Sequence, residues 1–204
     1  MQRDGTQSGI FSSVSKNNGQ ASEIILDEAG IFTFARHSSL NIMDWTSIDI
    51  GTLMGVTHWK GQARQETLLV KPRGAKGAYY YGDKVVRSKC SAILHIIARS
   101  ELVVMERGMG ARANVVNAQA KLRGYIEGLC DLNVVQTKEI LPSEWRRPIK
   151  EHLGVSWPKK SNDQKALAQQ VVKNLYNLDV SEDEADSICI GWSALRLGYI
   201  NLNQ

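Results

Sequence analysis

The stretch from Thr46 to Gly55 constrains this chain more than any other, because it sets an acid inside a strand apolar enough to be buried. Thr46 to Ile50 alternate as a β-strand does, so Ile48 and Ile50 share one face and Asp49 points to the other. Gly51 follows, where the chain can turn sharply without a Cβ clash. Apolar-rich runs at Val56 to Trp59 and Glu66 to Val70, the second after a turn at Lys60, Gly61 and Gln62, make two further strands at hairpin distance. A carboxylate left unpaired in such a strand costs several kcal/mol, and the usual compensation is a metal ion.

Two other places share this character. Glu106 ends the apolar run Leu102 to Met105 and precedes the glycine-rich segment Arg107, Gly108, Met109, Gly110. Asp183 and Asp186 stand three apart at the start of a final helix, a spacing that puts both on one helix face. Ser181 and Glu184 form the capping box that opens that helix. Attraction to the positive end of the helix accounts for Glu182. It accounts poorly for Asp186, which precedes the apolar run Ile188, Cys189, Ile190 on the inward side.

The rest of the chain supplies a frame for these acids. Its 204 residues, 43% hydrophobic and 23% charged, fit one soluble globular domain with a real core. No apolar run approaches the roughly 20 residues of a membrane span, and no basic-then-apolar leader opens the chain, so no membrane partner is expected. Cys90, Cys130 and Cys189 are isolated and odd in number. They read as core thiols, which places the protein inside the cell in a reducing compartment: the cytoplasm, or a nucleus or organelle. A net charge of +4 permits a nucleic-acid partner without establishing one.

Residues 1–45 read as an N-terminal extension. The first 21 or so are rich in Ser, Gly, Gln and Asn and are expected to be partly disordered. Glu23 to Leu26 and Ile31 to Ala35 suggest a hairpin, with Asp27 as a turn residue and a rival for the acid of the first strand. Beyond the three strands, helical periods run over Val85 to Ser100 and Asn114 to Leu129, with strands at Leu102 to Glu106 and Asn133 to Thr137. Pro142 to Pro158 reads as irregular, basic and aromatic. Helices follow at Asp163 to Leu175 and Glu182 to Leu197. Early hairpins and later strand–helix–strand crossovers imply an α/β fold with a mixed sheet and helices on its faces.

Asp49, Ile50, Gly51 and Thr52, then the strand ending in Glu106, then Asp183 to Asp186 on the last helix, together resemble RuvC-type Holliday junction resolvases of the RNase H-like superfamily. Glu106 lies 57 residues after Asp49 and Asp183 a further 77, both similar to that family's gaps. Gln119 to Gly124 and Asp163, Gln164, Lys165 are similar to further family segments. The resemblance implies an RNase H-like mixed five-stranded sheet flanked by helices over residues 46–204. It implies a Mg²⁺-dependent endonuclease that resolves four-way DNA junctions by paired symmetrical nicks, working as a homodimer. Two features depart from the family: about 45 residues precede the first strand, and Met109 stands where an aromatic residue often wedges the junction.

The chemistry suits these residues. Two divalent ions about 3.5 to 4 Å apart can activate a water and stabilise the leaving oxygen of a phosphodiester. Mg²⁺, with Mn²⁺ as a possible substitute, favours a carboxylate set such as Asp49, Glu106, Asp183 and Asp186. Lys165 is either a phosphate-facing catalytic residue or an exposed helix lysine. Arg73, Lys76, Arg112, Arg146, Arg147, Lys159 and Lys160, with Met109, are the candidates for DNA contact. Trp145 and Trp157 read as packing residues in preference to base-stacking ones. The helix Asn114 to Leu129 carries Val115, Val116, Leu122, Tyr125, Ile126 and Leu129, which cover either a dimer surface or the sheet. Two other activities use related residues. One is cleavage of RNA–DNA hybrid, flap or other branched DNA by the same acids. The other is actin-like ATPase chemistry, whose phosphate strand also opens Asp-x-Gly-Thr but whose folds have two lobes and no use for a helical Asp pair.

Overall fold

A computed structural model describes residues 42–51, 53–71, 82–108 and 113–200, with backbone alone at 113–114; among the first 41 residues it describes the backbone of 15–17, 20–26 and 32–35. The chain divides into two compact units, Met1–Asn41 and Ile42–Gln204. In the first, β1 (Ser15–Asn17), β2 (Gln20–Leu26) and β3 (Phe32–Ala35) pair antiparallel in that order. Asp27 lies outside the described residues.

The second unit is built on five strands: β4 (Asp44–Ile50), β5 (Met54–Lys60), β6 (Ala63–Val70), β7 (Leu102–Glu106) and β8 (Gln136–Ile140). Their order is β6-β5-β4-β7-β8. The three early strands pair antiparallel, and β4–β7 and β7–β8 pair parallel. This is the mixed α/β sheet that hairpins followed by crossovers require. Gly61, at φ 56°, makes the tight turn between β5 and β6.

Strand parity sorts the core into two layers. Ile48, Ile50, Val56, Val103 and Met105 face one side, against α1 (Asp83–Ile97) and α2 (Ala113–Leu132) through Ile93, Ile96, Leu122 and Ile126. Trp45, Trp59, Leu102 and Val104 face the other. That side is covered by α3 (Pro142–Leu153), α4 (Ser161–Tyr176) and α5 (Glu182–Arg196), which contribute Trp145, Ile149, Val172, Ile188 and Ile190. Trp45 and Trp59 stack at 5.1 Å with their planes 9° apart. Each such buried side chain contributes about 1.5–3 kcal/mol. Cys90, Cys130 and Cys189 are buried free thiols.

Two local expectations are corrected. The strand expected over Asn133 to Thr137 lies at Gln136–Ile140 instead. Asn133 and Val134 form a turn, in which Val134 adopts φ 55° and is 90% exposed. The stretch from Pro142 expected to be irregular is the helix α3 as far as Leu153. Pro142 occupies its first turn, where a missing N–H costs nothing, and the Glu144 carboxylate accepts from the Leu141 N–H at 2.7 Å. Pro148 sits inside that helix and is buried.

Candidate active site

The capping box that opens α5 forms as expected: Ser181 Oγ accepts from the Glu184 N–H, and Glu184 Oε2 accepts from the Ser181 N–H at 2.9 Å. This start fixes Asp183 in the first turn and Asp186 one turn on. The helix is held on the sheet by a buried polar seam. Ser47 Oγ donates to the Ser187 carbonyl at 2.7 Å, Thr57 and Ser187 hydroxyls meet at 2.7 Å, and Trp59 Nε1 donates to Ser47 Oγ at 2.8 Å. Two glycines allow the close approach. A Cβ on Gly55 would lie 1.8 Å from the Asp183 carbonyl oxygen, and one on Gly191 would lie 2.4 Å from the Trp59 ring.

On β4 the parity that buries Ile48 and Ile50 against α1 and α2 turns Asp49 toward α5, and on β7 the same rule turns Glu106 that way. The ends of these two parallel strands therefore meet the first two turns of α5. A Cβ on Gly51 would stand 3.7 Å from Asp183 Oδ1 and 3.8 Å from Asp49 Oδ2, so both carboxylates border one small space.

All four acids bind protons more tightly than usual. Asp49 is raised well above its ordinary value, first by burial and then by Glu106, Asp186 and Asp183. Asp186 is pushed up to about 7 by burial, then by Glu106 and Asp183. Burial raises Glu106 and Asp183 as well. Lys165 opposes the rise at Asp49, Asp183 and Asp186, and Arg146 opposes it at Glu106 and Asp186. A cation would relieve this crowding of negative charge, and four carboxylates are the donor set a hard divalent ion takes. The acids converge without closing round a point: among the described residues, no group of three His, Cys, Asp or Glu is already set to hold an ion.

Other predicted residues are placed as follows. Lys165 Nζ pairs with Glu182 Oε2 at 2.5 Å on the exposed side of the cluster. Arg147, Lys159 and Lys160 are exposed on α3 and before α4, and Arg146 is half-buried. Arg73, Lys76, Met109 and Arg112 lie outside the described residues. On α2, Leu122 and Ile126 are fully buried toward the sheet, whereas Val115 and Tyr125 are more than a third exposed.

The contacts that three neighbours make around the acids went unseen in the sequence. Trp145 is buried packing, as read, but its Nε1–H also donates to Glu106 Oε2 at 2.6 Å, which works against the rise at Glu106. Lys89 on α1 is 1% exposed, and its Nζ donates to the Gly51 carbonyl at 3.0 Å. Burial lowers this amine to about 8, against the pull of Asp183 and Asp49. Gln119 Nε2 donates to the Ile50 carbonyl at 3.1 Å and so ties α2 to the end of β4. Lys89 falls in phase with Val86, Cys90 and Ile93 on the buried stripe of α1, but a lysine gives no burial signal by itself; Gln119 lay within the segment already singled out.

No family model and no curated protein matches the sequence. Solved structures do. The Thermus thermophilus RuvC structure is similar at a TM-score of 0.55 and 18% identity, over 76% of this chain and 97% of that one. T. thermophilus RuvC in complex with Holliday junction substrate gives a TM-score of 0.58 at 15% identity, over 76% and 96%. The yeast mitochondrial Holliday junction resolvase Ydc2 gives 0.51 at 14%, over 76% and 80%. Sheet order, helix placement and these likenesses agree that the chain has the RNase H-like fold of the RuvC-type Holliday junction resolvases.

Proposed function

We propose that this protein is a structure-specific DNA endonuclease that resolves four-way junctions by paired symmetrical nicks. The observation that carries the reading is the convergence of Asp49, Glu106, Asp183 and Asp186, from two strand ends and one helix start, with every one of them raised in proton affinity. It is supported by the fold and by a similar protein whose structure holds a Holliday junction. These four acids would hold two Mg²⁺ ions, or Mn²⁺ in their place; ions bound there supply a nucleophilic water at neutral pH and stabilise the leaving oxygen.

The chain's own residues do the rest. The Trp145 N–H fixes one oxygen of Glu106 and leaves the other to a ligand. Lys89 and Gln119 hold the Gly51 and Ile50 carbonyls, and so the end of the strand that carries Asp49. Lys165, steadied by Glu182, adds positive potential where an attacked phosphate would gather charge. Arg147, Lys159 and Lys160, together with Arg73, Lys76 and Arg112, would contact the backbone, with Met109 at the junction itself.

A junction needs two nicks, and one domain offers one cluster, so we infer a twofold homodimer. Its surface would be the groove between α1 and α2, about 680 Å³, bordered by Leu94, Tyr125, Leu129 and Leu132. Three buried free thiols fit a reducing, intracellular setting.

The test is side-by-side cleavage of a four-way junction, a linear duplex, a flap and an RNA–DNA hybrid. Asp49→Asn and Glu106→Gln should each abolish Mg²⁺-dependent junction cleavage while binding persists, since affinity rests on cations elsewhere. Normal turnover in either variant would sink the assignment. Preference for hybrid or flap would move the reading to those substrates.

A further inference from the structure

α1 carries a full charge into the core on a stripe that is otherwise apolar. Val86, Cys90 and Ile93 fill the buried side of that helix, and Lys89 stands among them at 1% exposure. Its Nζ donates to the Gly51 carbonyl at 3.0 Å. Gly51 borders the same space as two of the acids, since a Cβ there would stand 3.7 Å from Asp183 Oδ1 and 3.8 Å from Asp49 Oδ2. The ammonium therefore reaches the base of the carboxylate cluster from the face of the sheet opposite α5.

A bond to a neutral carbonyl satisfies a donor but does not offset the cost of taking an ammonium out of water; nearby negative charge does. Burial brings Lys89 down to about 8, and the groups that pull against burial are Cys90, Asp183 and Asp49. Burial also holds the Cys90 thiol above its ordinary value, so at neutral pH the negative charge that Lys89 faces comes from the carboxylates. Lys165 approaches the same acids from the exposed side, where it pairs with Glu182. Lys89 lies away from solvent, so its charge is screened far less.

We propose that Lys89 is a resident cation of the carboxylate cluster: it offsets the charge of Asp49 and Asp183 in the metal-free protein, and thereby sets how tightly the cluster takes a divalent ion. The inference rests on the nuclease reading above and deepens it, adding a charge to what is otherwise a carbonyl tether. Lys89 is a positioning residue, acting through the acids and through Gly51. Its charge holds the acids together before the metal arrives and opposes the metal afterwards. Deleting that charge should therefore tighten metal binding. It also favours protons on the acids, but a divalent ion gains twice what a single proton gains from the loss of the same charge, so the tightening survives at neutral pH.

The experiment compares the full chain with Lys89→Met at neutral pH, by calorimetric Mg²⁺ titration without DNA and by urea unfolding without metal. Methionine keeps most of the side-chain length and loses the charge. The variant should bind Mg²⁺ about tenfold more tightly than wild type, and Mg²⁺ should raise its melting temperature by more. In metal-free unfolding, Lys89→Met and Asp49→Asn should couple by about tenfold in the unfolding constant, because each removes a charge that the other faces. Gln119→Met is the control. It releases the Ile50 carbonyl at the same strand end without changing any charge, and should show neither the tighter Mg²⁺ binding nor the coupling. Where Lys89→Met is too unstable to measure, Lys89→Gln, neutral but still able to donate, takes its place with the same expectation. Equal Mg²⁺ affinity in wild type and the neutral variant, with additive stabilities, would make Lys89 a carbonyl tether alone and overturn the proposal while the nuclease reading stands. If wild type binds no Mg²⁺ and leaves four-way junctions intact, the nuclease reading fails, and the metal half of the proposal fails with it whatever the coupling.

Discussion

Gly55→Ala tests how closely the acids are placed. A Cβ there would lie 1.8 Å from the Asp183 carbonyl oxygen, 2.5 Å from its carbon and 3.1 Å from the Glu184 nitrogen. All three are backbone atoms, so no side chain can rotate away. Reaching the 3.4 Å of ordinary contact requires a shift of about 1.6 Å. Gly55 also pairs directly with Asp49 across the β4–β5 ladder. Whichever side yields, strand or helix, the Asp49–Asp183 separation changes. Overpacking of this kind costs about 1–3 kcal/mol, partly offset by the ~0.4–1 kcal/mol that alanine gains over glycine in the unfolded chain. The effect on catalysis should be larger, since misplacement of about 1 Å costs roughly 100-fold. Urea unfolding gives the first quantity, and single-turnover junction cleavage at saturating Mg²⁺ gives the second. We expect a folded protein with a modest stability loss and a cleavage rate reduced about 100-fold. A variant with wild-type rate and stability would refute the close approach of β5 to α5.

Three further outcomes are expected. Asp186 stands at about 7 without metal, so Mg²⁺ binding at neutral pH should release protons, and calorimetry in buffers of different ionisation heat should show it; buffer-independent heat would count against Asp186 as a ligand. His58 is 4% exposed and held below its ordinary 6.5 by burial and by Arg99 and Lys60, against the pull of Asp44, while Thr46 sits beside its Nδ1. The unfolded chain therefore takes up a proton first as pH falls. Stability should decline below about 6.5 and level off below the folded value, a slope that His58→Gln removes; a slope unchanged in that variant would refute it. Sedimentation at micromolar concentration should give a dimer, and Tyr125→Glu, on the exposed side of α2, should give monomers that nick one strand at a time.

The parts legible in the sequence were those governed by local rules. Period-two alternation placed Asp49 and Glu106 on strands, and the box at Ser181 and Glu184 placed Asp183 and Asp186 on a helix start. α3 was obscured because its charged residues and Pro148 mask a short apolar stripe whose buried members are Trp145, Pro148 and Ile149. β8 was set three residues early because Val134 and Val135 look like strand residues, while Val134 in fact projects into solvent at a turn. Its own outer residues are polar: Gln136, Thr137 and Lys138 are exposed on an edge strand. Lys89 was hidden for a different reason. A lysine on a helix reads as surface, whereas here the end of β4 passes over it and the Gly51 carbonyl accepts from its Nζ.

The seam of Ser47, Thr57, Trp59 and Ser187 acts as a gauge that rejects wrong settings. An apolar seam would grip α5 about as well one helical turn, or roughly 5.4 Å, up or down the sheet. With hydroxyls and an indole N–H in the interface, each such slip strands several buried polar groups at about 1–3 kcal/mol apiece. The seam thus gives up some cohesive energy to make the misaligned states scarce. Engineers who replace these residues with well-packed aliphatic ones should obtain proteins that melt higher and cut worse, because thermal endurance and the alignment of the acids draw on the same few atoms.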